Sequence, residues 1–436
     1  MRLDSCESRS LKKGNMVLPP QLNLIRPSTT SDSWGRYYTE QNISDILIDS
    51  IGDLRPKVIV ELGVGRGSIS SSAVKKWGSA RLVTVDTDYG TAPELIGLDS
   101  TQHAHFIHDA LDDELASKIG LSFGSVDLGL CNPPYVRPKW RTGYGAILEE
   151  AGLSGALDSV RDAGADLLFI AQNLRLLKRS GKLGLILPDG LLTGEKFGRV
   201  RSTLLNQHLI KEVIQLPRRV FAGTDAQTHL LVLAKSGGAT QEVILRNLSI
   251  EGVLSQPLKI SADMATRRLD YSYHFSRKIA SKSNKENSDV LIEKLCINLA
   301  RGSFNSSQLN SLVVPIFHLS DFPNDNQGIT PRVPKRFLRS PTSLSKLPSN
   351  VRIATDGDIL IARIGRNLHN KICLVEGGGC VISDCVYSLK VLPKHREKVM
   401  SFFCSDIGRQ ALLTAAHGVG AKYLSRSDLM QITVPI

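Results

Sequence analysis

The sequence predicts an α/β protein in which a mainly parallel sheet with helices on both faces is followed by a smaller α+β domain. Two patterns support this prediction. Between residues 57 and 236 apolar, strand-like runs alternate with helical stretches, and beyond about residue 285 short strands are interrupted by Pro and Gly. The length of 436 residues also exceeds what one typical hydrophobic core accommodates, so we expect two domains.

The first domain contains the elements of that alternation in order. The strand "KVIVELG" precedes a helix over "SISSSAVKKWG", and the strands "ARLVTVDTD", "HAHFIHD" and "SVDLGLCNPP" follow. A long amphipathic helix, "GADLLFIAQNLRLLKRSG", leads into the strand "KLGLILPDG", and "IKEVIQLP" and "QTHLLVLAKSGG" complete the series. Ligands of such sheets bind beyond the carboxyl ends of the strands, so the residues at those ends are the candidates for function.

The second domain has a different pattern. The alternation stops at "SGGATQ", and a polar stretch, "SRKIASKSNKENSD", precedes the short strands "LVVPIFHL", "GDILIARIG", "KICLVEGGGCVISD" and "CVYSLKVLP". A helix over "REKVMSFFCSDIGRQALLTA" comes next. We therefore expect an N-terminal arm over residues 1–34, the sheet domain over 35–245, a linker region over 246–284 and the second domain over 285–436.

The charge favours a polyanionic partner, because the formal net charge is +12 and the sequence pI is about 9.4. Residues 331–371 alone contain nine Lys/Arg and two Asp. No apolar run is long enough to span a membrane, and "MRLDSCESRSLKKGN" lacks the apolar core of a signal peptide, so we expect a soluble, cytoplasmic protein. The seven cysteines form no CxxC pair and fit no zinc pattern, so we expect reduced thiols and no metal site.

A glycine-rich turn follows the first strand, where Gly63, Gly65 and Gly67 are separated by single residues. Ser68 stands where a dinucleotide fingerprint requires its third glycine, which argues against NAD or FAD. Closely spaced glycines let the backbone approach a ligand without a Cβ clash. Glu61, just before them, would repel a pyrophosphate but could meet an ammonium group.

Carboxylates also follow the next two strands, since Asp86 and Asp88 end "LVTVDTD" and Asp109 follows "FIH". An acid at the position of Asp86 commonly accepts both hydroxyls of a ribose. Each acid taken alone is more typical of a solvated loop. Three of them at successive strand ends, beside one glycine turn, favour an adenosyl ligand with a cationic end, and S-adenosylmethionine fits that description.

The fourth strand ends in Asn132-Pro133-Pro134-Tyr135, an unusual way to leave a buried strand. The two prolines remove two backbone donors and fix φ near −65°. Taken alone, this stretch is equally consistent with an ordinary turn.

In this order the motifs resemble the gamma class of DNA adenine-N6 methyltransferases, which includes the modification subunits of type I restriction systems. "GRYYTEQNISDIL" is similar to that group's cofactor-covering motif through Tyr37, Tyr38 and Thr39, with Glu40 where a proline is usual. "ELGVGRG" is similar to its glycine motif, although Leu62 stands where a proline is common. "NPPY" is similar to its catalytic motif, and "GKLGLILPDGLL" and "RRVFAGTDAQTHLLVLAK" to two later motifs, so that the resemblance covers about residues 35 to 236.

The resemblance implies a Rossmann-like, S-adenosylmethionine-dependent methyltransferase sheet and a role for each motif residue. The Asn132 side-chain oxygen and the Pro133 carbonyl would accept hydrogen bonds from the N6 amine of adenine, in a loop that Pro134 helps to keep rigid. Tyr135 and Phe221 would stack on the two sides of an adenine flipped out of the duplex. The residues implied for cofactor binding are Tyr38, Thr39, Glu61, Gly63, Gly65, Gly67, Asp86, Asp109 and Asn132.

The C-terminal region resembles the target recognition domains of type I specificity subunits, through "GDILIARIG", "VISDCVYSLKV" and "GVGAKYLSRSDLMQITVPI". This second resemblance implies that double-stranded DNA is the partner and that its sequence is recognised here. A cognate restriction endonuclease and a separate specificity subunit are further candidate partners. The arginines expected to contact DNA are Arg332, Arg336, Arg339, Arg363 and Arg366.

Three alternatives remain. Enzymes that methylate the N5 amide of glutamine in proteins also carry NPPY, and related loops occur in RNA methyltransferases, but the glutamine enzymes are shorter and lack a large basic C-terminal domain and the "VFAGT" segment. A non-catalytic DNA-binding module would be expected to lose the NPPY and glycine motifs, and both are intact. About 30 residues precede the first motif, so we expect a modification enzyme without its own nuclease activity.

Overall fold

The computed structural model describes residues 39–91, 102–221, 226–283, 289–308, 312–323, 330–418 and 421–436. Its helices of at least four residues are α1 (Gln41–Ile51), α2 (Ser68–Trp77), α3 (Leu115–Lys118), α4 (Gly143–Glu150), α5 (Ala165–Leu176), α6 (Asp189–Thr193), α7 (Gly198–Gln207), α8 (Ala262–Arg267), α9 (Tyr271–Ser283), α10 (Ile292–Leu295), α11 (Pro341–Leu344), α12 (Arg396–Cys404), α13 (Asp406–Ala415) and α14 (Arg426–Met430).

The strands of the first domain form one nine-stranded sheet with the order β3-β2-β1-β4-β5-β7-β6-β8-β9. Their bounds are β1 (Val58–Leu62), β2 (Arg81–Asp86), β3 (His103–Ile107), β4 (Val126–Cys131), β5 (Leu177–Pro188), β6 (Leu209–Gln215), β7 (Thr228–Ala234), β8 (Glu242–Asn247) and β9 (Leu258–Ser261). Strands β1 to β5 pair in parallel, and β7 runs antiparallel between β5 and β6. The predicted α/β sheet is therefore confirmed.

Helices cover both faces of the sheet, because alternate residues of its buried strands point to opposite sides. On one face α1 and α2 pack on Ile59, Leu128 and other apolar residues, and on the other α4, α5 and α7 pack on Val60 and its neighbours. In α1 the buried residues Ile43, Leu47 and Ile51 recur every four positions, which places one apolar stripe against the sheet. The loops that follow β1, β2, β3 and β4 leave this core at the same edge, because these strands are parallel.

The C-terminal domain has its own apolar core, which is packed among three small sheets. A four-stranded antiparallel sheet has the order β11-β17-β14-β15, a three-stranded sheet the order β12-β16-β13, and β10 pairs with β18. Their bounds are β10 (Asp289–Leu291), β11 (Cys296–Arg301), β12 (Ile316–Phe317), β13 (Ile353–Ala354), β14 (Ile359–Ala362), β15 (Ile372–Leu374), β16 (Cys380–Ile382), β17 (Val386–Val391) and β18 (Thr433–Pro435).

Residues 246–284, expected to form a linker region, contain regular structure. Strand β9 pairs with β8 at the edge of the large sheet, and α8 and α9 follow it. The expectation rested on polar composition, but Leu258, Ile260 and Ala265 are buried in the core of the sheet domain. The sheet domain thus continues through the end of strand β9 and into α8.

Two further observations concern the described residues alone. No helix among them is long and apolar enough to cross a lipid bilayer. Nor does the described part of the chain group three or more His, Cys, Asp or Glu side chains as a metal ion would require. Six cysteines of this part are free thiols, and Cys6 lies outside the described residues.

Candidate active site

The glycine turn between β1 and α2 is shaped by three left-handed residues. Gly63, Gly65 and Gly67 have φ values of 73°, 52° and 78°, a region that side chains other than glycine rarely adopt. The backbone N–H of Gly65 donates to Asp86 Oδ2 at 2.9 Å, and that of Gly63 donates to the Val85 carbonyl at 2.8 Å. The turn is therefore held against the end of β2, next to the acid that follows it.

Carboxylates from three neighbouring strands meet at this edge. Glu61 lies in β1 and is only 1% exposed, and burial raises its pKa to about 8 even though the Ser70 hydroxyl donates a hydrogen bond to it. Asp86 ends β2 and also accepts the backbone N–H of Asp88 at 3.0 Å. Asp109 follows β3 and accepts the N–H of Leu111 at 2.8 Å.

The loop that contains Asn132 leaves β4 beside the glycine turn. Asn132 Nδ2 donates to Thr39 Oγ1 at 3.0 Å, and its Oδ1 accepts the Tyr135 hydroxyl at 3.1 Å. Both contacts assign the same orientation to the amide, with its oxygen on the Tyr135 side. The loop is thereby tied to the segment before α1, which is 93 residues away in sequence.

These elements enclose a cavity of about 400 Å³. Its lining includes eight of the residues expected at the site, namely Thr39, Glu61, Gly63, Gly65, Asp86, Asp109, Asn132 and Pro134. Gly67 begins the turn into α2, while Pro133 and Tyr135 lie in the same loop as Asn132. Tyr38 lies outside the described residues.

Arg141 joins the site although the motifs did not point to it. Its Nη2 donates to Asp109 Oδ2 at 2.7 Å and to the Tyr144 hydroxyl at 2.7 Å, and its guanidinium lies 4.8 Å from the centre of the Tyr144 ring. Burial alone lowers the pKa of Arg141, but Asp109 and Tyr144 outweigh it and raise the pKa above its ordinary value. The cations and aromatic rings of "VRPKWRTGYG", directly after Tyr135, were the signal available in the sequence.

Phe221 does not join the cavity. Its side chain is 1% exposed and packs in the core on the α1 side of the sheet, directly before residues 222–225, which lie outside the described part of the chain. A ring buried on all sides offers no face to a base, so this placement differs from the stacking position expected from the motif. Burial of apolar ring surface decides this placement, and the motif alone could not reveal it.

The arginines expected to contact DNA separate into two groups. Arg332 pairs with Glu376 at 2.6 Å and Arg336 with Asp321 at 3.0 Å, and both side chains are more than half exposed. Arg339 donates to two backbone carbonyls of its own loop, and Arg366 is exposed.

Arg363 differs from the other four arginines. It is 6% exposed, donates to the Asp384 carbonyl at 2.8 Å and lies over the Tyr423 ring, so its charge is directed into the domain rather than towards a phosphate.

Comparison with known proteins adds to this geometry. The model of the N-6 DNA Methylase family matches residues 26–275, which is more than half of the chain. The chain belongs to this family. The family predicted from the NPPY and glycine motifs is thereby confirmed.

Individual relatives of this N-6 DNA methylase are distant. It is 24% identical over 226 residues to the type I restriction enzyme MpnII methylase subunit of Mycoplasma pneumoniae, covering 47% of this chain and 41% of that protein. It is 28% identical over 101 residues to the type II methyltransferase M.CvrRI of Paramecium bursaria Chlorella virus XZ-6E, covering 23% of this chain and 24% of that one. The matched segments thus span less than half the length of these relatives.

Similarity of fold extends over more of the chain than similarity of sequence does. The type IIG restriction endonuclease BpuSI superposes on 92% of this chain and 59% of its own, with a TM-score of 0.52 and 13% identity. At that identity the likeness concerns the fold alone.

Proposed function

We propose that this N-6 DNA methylase is a site-specific DNA methyltransferase that transfers a methyl group from S-adenosylmethionine to the N6 amine of an adenine flipped out of the duplex. The observation that carries the proposal is the cavity in which the Asn132 amide lies beside the glycine turn and three carboxylates. The donor set fits this cofactor, because the acids suit hydroxyl, amino and cationic groups and would repel the phosphates of a dinucleotide.

Each acid has a separate part in holding the cofactor. Asp86 would accept hydrogen bonds from the ribose hydroxyls, and Asp109 would bind the adenine end. Glu61 and the Gly63 backbone would bind the cationic end, and Thr39 would cover the cavity. When bound, S-adenosylmethionine supplies an electrophilic methyl group on a sulfonium. The remaining chemistry belongs to the target amine and to the loop that follows β4.

The adenine amine is a poor nucleophile because its lone pair is delocalised into the ring. Asn132 Oδ1 and the Pro133 carbonyl would accept hydrogen bonds from its two N–H groups and thereby localise the lone pair on nitrogen. The lone pair would form the new N–C bond as the C–S bond breaks, with the electrons of the broken bond remaining on sulfur, and the surplus amine proton would pass to solvent. The rigid Pro133-Pro134 backbone holds both acceptors in place before the base arrives, which is preorganised electrostatic stabilisation.

Tyr135, half-buried beside Asn132, would stack on the extruded base. Phe221 could close the other side only after leaving its buried position. Arg332, Arg336, Arg339 and Arg366 are the candidates for contacts to phosphates or guanine edges. A role in a restriction-modification system would place the protein in the cytoplasm of a prokaryotic cell, where a cognate restriction endonuclease or a specificity subunit would be its partner.

Expression of this chain alone, followed by long-read sequencing of the host DNA, tests the proposal. We expect N6-methyladenine at a fixed position of one sequence motif. Asn132→Ala should abolish the signal, whereas Asn206→Ala, at an exposed position of α7, should preserve it. Methyl transfer to RNA or to a glutamine-containing peptide, with unmethylated DNA, would contradict the proposal and favour the alternatives.

A further inference from the structure

A hairpin of the C-terminal domain docks on the sheet domain. The docking hairpin consists of residues 416–418 and 421–424, between α13 and α14, and residues 419 and 420 lie outside the described part of the chain. His417 and Tyr423 close it by exchanging backbone hydrogen bonds of 2.9 and 2.7 Å, and their rings stack with centroids 5.6 Å apart. The two described segments of the hairpin are thus held together at His417 and Tyr423.

The contact point on the sheet domain is Asp189. The backbone N–H of Gly418 donates to Asp189 Oδ2 at 3.2 Å, across 229 residues of sequence. The same carboxylate accepts the Thr193 hydroxyl at 3.0 Å and lies 3.0 Å from His229 Nε2. Asp189 and His229 are 3% and 0% exposed, so this cluster is closed off from water.

Asp189 is held as a carboxylate despite its burial. Burial raises its pKa, but the hydrogen bond and charge of His229, followed by the charges of Lys422 and Arg268, bring it well below its ordinary value. Lys422 belongs to the docking hairpin and is 6% exposed. The hairpin therefore supplies both a backbone donor and a cation to one buried anion.

Arg268 makes a second buried contact between the domains. It is 4% exposed, pairs with Asp270 at 2.7 and 3.0 Å, and donates to the Ala415 carbonyl at 2.7 Å and the Thr414 carbonyl at 3.3 Å. These carbonyls end α13, where the helix dipole favours a cation. Desolvation cancels much of the energy of such buried ion pairs, so their main effect here is to fix a geometry.

The docking point lies at the same end of the sheet as the Asn132 loop. Strands β4 and β5 pair in parallel with Cys131 opposite Leu185, so Asn132 and Asp189 leave neighbouring strands at the same end of the sheet. Strand β5 continues for three residues beyond this pair, to Pro188, so Asp189 lies further along the strand direction than Asn132. Pro188 is also paired with Thr228, the first residue of β7, so Asp189 follows β5 directly beside the start of β7.

We propose that Asp189 is a positioning residue that, by anchoring the docking hairpin through Gly418, sets the distance between the DNA-reading domain and the Asn132 loop. It thereby determines which adenine of a bound sequence is methylated. The inference rests on the proposed function and extends it to "GKLGLILPDGLL", a motif that neither the cofactor nor the chemistry accounts for. A reading domain that could shift relative to the loop would present neighbouring adenines as well.

Asp189→Asn keeps the size of the side chain and removes its charge. We expect cognate kcat/KM to fall by about 10- to 100-fold, because buried donors lose a charged acceptor. The diagnostic readout is the proportion of methyl groups found at neighbouring adenines, which should rise in Asp189→Asn, while the Kd for S-adenosylmethionine stays at the wild-type value.

Asp127→Asn is the matched control. Asp127 is 7% exposed in the same sheet and accepts the N–H groups of Lys57 and Val58 at 2.8 Å each, at the opposite end of the strands. This variant should lose stability without changing the methylated position. If Asp189→Asn fails to fold, Lys422→Met removes the hairpin cation whose charge helps to lower the pKa of Asp189, and it should shift the methylated position in the same direction.

The outcomes separate the two proposals. The positioning role alone is overturned if wild type is active and the proportion of methyl groups at neighbouring adenines is unchanged in Asp189→Asn. Where Asp189→Asn does not fold, the same result in Lys422→Met overturns it. The role is also overturned if Asp127→Asn raises methylation at neighbouring adenines as much as Asp189→Asn does, because loss of stability would then be the cause. A wild type that binds S-adenosylmethionine but methylates no adenine in DNA overturns the proposed function and this inference with it.

Discussion

Replacing Glu61 by Gln should remove a large pH dependence from the stability of this methylase. Glu61 is 1% exposed at the end of β1. Burial raises its pKa from 4.5 to about 8, Asp86 adds to this increase, and the hydrogen bond from Ser70 opposes it. The folded chain therefore binds the Glu61 proton more tightly than the unfolded chain does.

The direction and size of the effect follow from this difference. The contribution of the protonated Glu61 is complete below pH 4.5 and is lost as the pH rises through about 8. The gap between these two values corresponds to about 5 kcal/mol, at about 1.36 kcal/mol per pH unit. A whole domain is stable by only about 5–15 kcal/mol, so the loss should be easy to measure.

Urea unfolding at constant ionic strength, from about pH 5 to pH 9, measures this loss. Wild type should lose several kcal/mol more than Glu61→Gln, which carries a neutral side chain of the same size, while the exposed control Glu149→Gln should follow wild type. Saturating S-adenosylmethionine should reduce the loss in wild type, because a nearby cation favours the carboxylate. Parallel pH profiles of wild type and Glu61→Gln would refute the reasoning.

Three further substitutions test the candidate active site, and a fourth tests the C-terminal domain. Asn132→Ala should lower turnover by at least about 100-fold without preventing cofactor binding, since it removes one amine acceptor; single-turnover kinetics showing the wild-type rate would contradict this role. Asp86→Ala should weaken S-adenosylmethionine binding by about 2–4 kcal/mol, and calorimetry with unchanged affinity would exclude it as the ribose acceptor. Arg141→Met should weaken cofactor binding by no more than about fivefold, because its ion pair with Asp109 is exposed to solvent; a larger loss in calorimetry would mean direct contact with the cofactor. Arg366→Ala should weaken binding to all DNA sequences alike and lower the salt dependence by about one charge if it contacts a phosphate, or cost about 1–3 kcal/mol at one base position if it contacts a guanine; unchanged binding at low salt would exclude both.

The parts of the site that could be predicted are those encoded within a few residues. Each of these residues lies at or just after the end of a strand: the glycine turn follows β1, Asp86 ends β2 and Asp109 follows β3. Parallel strands bring such ends to one edge of the sheet, independently of the rest of the sequence. The fold class follows from the same alternation. The cavity lining brings these acids together with Asn132, as the order of the motifs implied.

The parts that escaped prediction depend on contacts between distant segments. A linker region was expected over residues 246–284, but the burial of Leu258 and Ile260 adds a ninth strand to the sheet there. Phe221 matches a motif by spacing, yet its burial depends on how α1 and the sheet close around it. The bond between Asp189 and Gly418 joins two domains and has no local signature in either segment.

The contact between Thr39 and Asn132 links the two halves of the proposed reaction. Thr39 lies just before α1, and α1 is fixed to α2 by a 2.6 Å hydrogen bond from Gln41 Nε2 to Ser72 Oγ. Because Asn132 Nδ2 donates to Thr39, the amide oxygen is directed to the Tyr135 side, where the proposed function would have it accept the target amine. Under the proposed function, the segment that would cover the cofactor also orients the amide that would activate the base, so the first contact would prepare the second for its substrate.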